Sequence, residues 1–142
     1  MAETEQNVSL ASLLTPSKTV TIDYPGIDGF EVDLCYLSRE ELLKVRNKCL
    51  SQKFNKKTRS FEDQLDEDKF LTQYVKGVIK CWKGLKYENL QELLLVDVED
   101  KDPDTELEFT QDNAEVLMRN STDIDSWVTE IVSDLENFTG NK

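Results

Sequence analysis

Apolar and polar residues alternate with a period of two where patterning begins. Val20, Ile22 and Tyr24 interleave with Thr19, Thr21 and Asp23, and Phe30, Val32, Leu34 and Tyr36 interleave with Glu31, Asp33 and Cys35. Pro25-Gly26-Ile27-Asp28-Gly29 lies between the two runs. Alternating strands around a Pro/Gly turn predict a β-hairpin with one wet face. A lone hairpin is barely stable in water, so its apolar face needs a second layer. Ser38-Arg39-Glu40-Glu41 follows, an S-x-x-E capping box. The Ser hydroxyl takes a free N–H at the helix start and Glu41 returns the bond, predicting a helix over 39–51. Its apolar face (Leu42, Leu43, Val45, Cys49, Leu50) is ragged. Residues 52–65 are polar and basic, with Phe54 and Phe61 as lone anchors, and read as a short hairpin or loop.

The period then changes. Phe70, Leu71, Tyr74, Val75, Val78, Ile79 and Trp82 follow helical spacing after the capping residue Asp66. A helix over 67–82 is expected, ended by Gly84 in the left-handed conformation. Gly77 inside it costs about 1 kcal/mol relative to Ala, which a close approach of another backbone would explain. Residues 87–95 predict a short helix. Val96 and Val98, then Leu107 and Phe109, alternate with acidic residues and predict two short strands around an acidic loop, Asp100 to Thr105. Thr110 caps a helix carrying Ala114, Leu117 and Met118, and Asn120-Ser121-Thr122-Asp123 breaks it and caps the last helix. Ile124, Trp127, Val128, Ile131, Val132, Leu135 and Phe138 then mark an amphipathic helix over 123–138, closed by Gly140. The expected architecture is α+β: a helix-dominated single domain over 18–139 with an N-terminal β-hairpin packed on four or five helices. Residues 1–17 read as a flexible N-terminal arm interrupted by Pro16, in which Leu10, Leu13 and Leu14 form one turn that docks on the domain.

Composition narrows the function. The 142 residues carry 17 Lys and Arg against 29 Asp and Glu, a net charge of −12. That balance argues against a sequence-independent nucleic-acid binder and against docking on an anionic membrane surface. The absence of histidine removes the commonest general base and the usual hydrolase triads. With no Gly-rich phosphate loop and no base beside any Ser, Thr or Cys, an enzyme is not expected and no cofactor is implied. Asp100, Asp102 and Asp104 match three positions of a calcium loop. However, Thr105 replaces the turn glycine and Gln111 the bidentate Glu, so a solvated turn is expected. Cys35, Cys49 and Cys81 read as reduced thiols, two of them half-buried in helices. No apolar run approaches the ~18 residues needed to span a bilayer, and the first residues lack the basic and apolar blocks of a signal peptide, so the chain is expected to stay in the cytoplasm where it is made.

Charge is also split along the chain. Residues 39–60 hold eight cations and two anions, whereas residues 97–125 hold eleven anions and two cations. Two solvated patches within one fold are the simple reading. The functional reading is a dipolar surface for self-association or for a charged protein partner. Trp82, beside Gly84-Leu85, reads first as core, while an aromatic at a helix end by a Gly turn can also anchor a partner. The candidate partner-binding residues are Trp82, Leu85 and the basic run Lys53, Lys56, Lys57 and Arg59.

Taken in order, Tyr36-Leu37-Ser38-Arg39-Glu40-Glu41-Leu42, the helix from Asp66-Glu67-Asp68-Lys69-Phe70-Leu71 to Cys81-Trp82-Lys83-Gly84-Leu85, the acidic stretch, and Leu107-Glu108-Phe109-Thr110-Gln111-Asp112-Asn113 form a recognisable series. Over about residues 19–138 it resembles the tail assembly chaperones of long-tailed bacteriophages, with their "W-x-G-L/I" turn and "F-T/S-x-x-N" helix start. The resemblance implies a non-enzymatic protein that holds the tape measure protein soluble and helps tail tube protein polymerise around it. It also implies a longer form made by ribosomal frameshifting and absence from the mature virion. The Asp97 to Glu108 stretch departs from that pattern by being long, acidic and without a Gly turn. A second reading is an acidic nucleic-acid mimic that blocks a host DNA-binding enzyme.

Overall fold

The computed structural model describes residues 9–14 and 18–139. Pro16, Gly140 and most of the expected N-terminal arm lie outside them. The chain is mixed α+β, 43% helix and 23% strand, with an N-terminal hairpin followed by several helices.

The hairpin forms where the alternation placed it, from β1 (Thr19–Asp23) and β2 (Glu31–Cys35). The antiparallel register pairs Val20 with Leu34 and Ile22 with Val32. On the wet side Thr21 Oγ1 donates to Asp33 Oδ1 at 2.5 Å. α2 (Arg39–Lys48) follows α1 (Leu10–Leu13), and a two-stranded ribbon, β3 (Leu50–Asn55) and β4 (Ser60–Leu65), comes next. α3 (Glu67–Val78) runs without a loop into β5 (Ile79–Lys83). α4 (Tyr87–Leu90), α5 (Gln111–Asn120), α6 (Thr122–Val132) and the single turn α7 (Glu136–Thr139) complete the order. β5 pairs antiparallel with β2, giving a three-stranded sheet of order β1-β2-β5. α3 and α6 pack against β2, and α5 packs against both helices. The buried side chains between these layers include Phe30, Val32, Leu34, Val75, Val78, Leu117, Ile124 and Val128.

The four expected caps are formed. Ser38 Oγ accepts from Glu41 N, Asp66 Oδ1 from Lys69 N, Thr110 Oγ1 from Asn113 N, and Ser121 Oγ from Ile124 N. Each satisfies an N–H that the helix start leaves open. Ser121 also closes α5, its own N–H donating to Leu117 O, so one buried serine separates two helices.

The expected helix over 67–82 ends four residues early. Ile79 and Trp82 keep helical spacing, yet both are buried from a strand. A β-bulge reconciles the two. Asp33 pairs with Cys81 and Leu34 with Ile79, leaving Lys80 as the extra residue, so side chains three apart reach the same face. Gly84 takes a left-handed φ of +80° but follows a strand rather than a helix. The close backbone approach expected at Gly77 is found at Gly84 instead. A Cβ on Gly77 would meet nothing within 4 Å, whereas one on Gly84 would overlap the Gly29 carbonyl.

Other expectations also shift. α2 stops at Lys48, buries none of its residues, and leaves Leu42 and Leu43 exposed. The expected helix over 123–138 divides: Asp134 Oδ1 caps Glu136 N, restarting the chain as α7. The two strands expected around the acidic loop are absent, and Glu106 forms one isolated bridge with Lys86. α1 forms its turn, but Leu10, Leu13 and Leu14 remain exposed rather than docked. Cys35 is buried on β2, Cys49 is buried at the end of α2, and Cys81 is exposed on β5. No helix among the described residues is long and apolar enough to cross a membrane.

Candidate partner-binding surface

The basic run lies on the β3–β4 ribbon. The chain leaves the body at Cys49 and returns at Asp66, whose N–H donates to Cys49 O at 2.9 Å. From Ser51 to Gln64 every residue but Asn55 is exposed, so neither face of the ribbon is covered. Phe54 and Phe61 are cross-strand partners, their rings edge-on with centroids 5.3 Å apart. They are 49% and 66% exposed, which leaves most of an aromatic pair facing water. Lys53 pairs across the strands with Glu62, on the face opposite the two rings.

Side chains build the ribbon's tip. Asn55 Oδ1 accepts from Lys57 N at 2.9 Å, and Arg59 N donates to Asn55 O at 2.8 Å. Asn55 Nδ2 holds Glu62 Oε1 at 3.0 Å. This bonding projects Lys56, Lys57 and Arg59 from one turn. Arg59 has φ +56°, a conformation costing a non-glycine residue about 1–2 kcal/mol. Phe54, Lys56, Lys57 and the β4 residues Glu62, Asp63 and Gln64 border a shallow groove of about 580 Å³.

Trp82 and Leu85 do not join that surface. They are 5% and 0% exposed. Trp82 Nε1 donates to Leu107 O at 3.0 Å, and its ring meets Phe109 edge-on at 5.0 Å. Leu107 N donates to Leu85 O, and Gly84 N to Glu106 Oε1 at 2.7 Å. The Trp-Gly-Leu turn therefore straps the end of the acidic stretch onto the sheet. As folded, neither Trp82 nor Leu85 offers side-chain surface to a partner, and their burial corrects the expectation that they anchor one. The strap answers the core reading of Trp82, since a buried indole needs an acceptor for its N–H.

A second uncovered apolar region is one that the period analysis missed. Leu95 projects fully into solvent at 106% exposure, with Val96 and Val116 at 39% and 49%. Leu94, Leu95, Val96, Val116 and Asn120 border a groove of about 340 Å³. Asp97 and Glu99 flank a neighbouring hollow with Leu94 to Val98. The signal was in the sequence, because Leu93 to Val96 is an uninterrupted aliphatic run of four residues. The run was divided between the helix expected over 87–95 and the strand expected from Val96, so it gave no single face.

In the acidic loop, Asp104 N donates to Asp102 Oδ1, a turn within the loop. The described residues contain no group of three or more Cys, Asp or Glu side chains arranged to hold a metal ion. Two tyrosines carry perturbed hydroxyls. Burial raises Tyr74 above its ordinary 10.0, with a hydrogen bond to Thr129 opposing and the Asp125 charge adding. Burial, then the charges of Asp123 and Glu92, raise Tyr24.

No family model, curated protein or solved structure matches this chain.

Proposed function

We propose that this chain is a non-enzymatic assembly chaperone of the long phage tail. It binds the tape measure protein, keeps it soluble in the host cytoplasm and assists tail tube polymerisation, engaging tail tube protein through a longer frameshifted form. The observation that supports this reading is apolar surface left uncovered at two separate places, the Phe54–Phe61 pair and the Leu95–Val96–Val116 groove. The chain around them has a net charge of −12. Uncovered apolar side chains take up apolar helical stripes, and high net charge keeps the resulting complex dispersed. The ordered segments that resemble the tail assembly chaperones supply the identity of the partner.

Co-expression tests it. A tape measure protein from the same phage should be recovered soluble with this chain and largely insoluble without it. No gain in soluble yield overturns the reading. So does affinity capture that recovers a host DNA-binding protein and no tape measure protein.

A further inference from the structure

We infer that the β3–β4 ribbon of one copy docks in the Leu95–Val96–Val116 groove of a second copy, joining copies head to tail. Each surface has the same two parts with opposite charge. The ribbon presents an exposed aromatic pair, Phe54 and Phe61, next to a tip carrying Lys56, Lys57 and Arg59. The groove presents Leu95, Val96 and Val116, next to Asp97 and Glu99. Within one chain neither is covered: the Phe rings face water, and Leu95 is 106% exposed. Apolar surface of this kind on both sides supplies affinity, and the paired charges set the register and exclude like-with-like contacts.

The chain's charge distribution selects a second copy as the occupant. Residues 39–60 are cation-rich and residues 97–125 anion-rich, so each molecule carries both halves of one contact. Ribbon and groove are different surfaces, so the contact is heterologous, and a bound copy still offers one of each. A reciprocal dimer, a ring or an open chain are all built from that one contact. The inference goes beyond the proposed activity: in the isolated chain a second copy occupies these surfaces, and the tape measure protein displaces it, so a chain that stays monomeric leaves the tape measure reading standing.

Sedimentation velocity across a range of concentrations tests it. The purified chain should associate with rising concentration at about 0.1 M salt. Association should weaken by at least about tenfold at about 1 M, where the screening length falls from ~10 Å to ~3 Å. A ribbon variant (Phe54→Ser with Phe61→Ser) and a groove variant (Leu95→Ser with Val96→Ser) should each stay monomeric with unchanged circular dichroism. Mixed together they retain one intact ribbon and one intact groove, so they should form a one-to-one dimer that neither forms alone. Lys56→Glu with Lys57→Glu should abolish association, and mixing that variant with Asp97→Lys and Glu99→Lys should restore it. A wild-type chain that is monomeric throughout, variants that still associate singly, or a mixture that stays monomeric would each overturn the contact.

Discussion

Gly84 and Gly77 lie seven residues apart and should respond oppositely to the same added methyl. At Gly84 the backbone has φ +80°, and a Cβ would overlap the Gly29 carbonyl. Gly84→Ala should therefore lose at least about 2 kcal/mol of stability, read from urea denaturation. At Gly77 the space is open and the backbone helical, so Gly77→Ala should gain about 0.4–1 kcal/mol. Only the first glycine has a reason to be glycine. From sequence the left-handed backbone was assigned to Gly84 but the close approach to Gly77, because the group that approaches, the Gly29 carbonyl, lies in a turn far back along the chain. Tyr74 gives a pH signature. Its pKa is raised in the fold, so the native state holds the proton more tightly than the unfolded chain. The associated stability is fully present below the ordinary 10.0 and is lost as pH rises through the elevated value. Chemical denaturation from pH 8 upward should show stability falling above pH ~10, and Tyr74→Phe should remove part of that fall.

At the scale of elements, legibility followed the locality of the cause. Ser38, Asp66, Thr110 and Ser121 each cap a helix through the N–H three residues ahead, so the sequence carries the whole interaction. The α3–β5 junction is different. Ile79 and Trp82 keep the helical stripe, and only pairing with β2, with Lys80 as the bulged residue, turns them into a strand. The acidic stretch was misread for a related reason: Leu107 is held by Leu85 and by the Trp82 indole rather than by Val96 or Val98. Trp82→Phe keeps the ring but leaves the Leu107 carbonyl without its donor. It should cost about 1–3 kcal/mol and speed amide exchange over residues 105–109, measured by hydrogen–deuterium exchange. The candidate site was half legible. Its cations and both phenylalanines were marked by type alone, while the burial of Trp82 and Leu85 depended on a strap with no periodic trace. Because the ribbon rests on no other layer, Phe54→Ser with Phe61→Ser should change global stability by less than about 0.5 kcal/mol. Urea denaturation of that variant checks whether the ribbon is separable from the core.

At the scale of the molecule, charge runs against compaction. Eleven anions and two cations fall within residues 97–125, a segment packed into a chain of net charge −12. Ion pairs offset little of this. Arg119–Asp68 at 2.7 Å is exposed and Lys83–Glu31 at 3.1 Å largely so, and water screens such surface pairs until little attraction is left. Raising salt from about 0.01 M to about 0.5 M should therefore raise the melting temperature through screened self-repulsion. A falling melting temperature would place the balance with attractive pairs instead.

The chain departs from the body at Cys49 and rejoins it at Asp66, two residues joined by a single 2.9 Å hydrogen bond. Such a doorway makes the stretch between them excisable. A tight turn could bridge the gap at almost no closure entropy, and a foreign peptide or a small reporter domain could be spliced in without disturbing what lies behind it. The same geometry would let different sequences be exchanged at this point while the scaffold stays unaltered, making the protrusion the natural place to graft a new specificity.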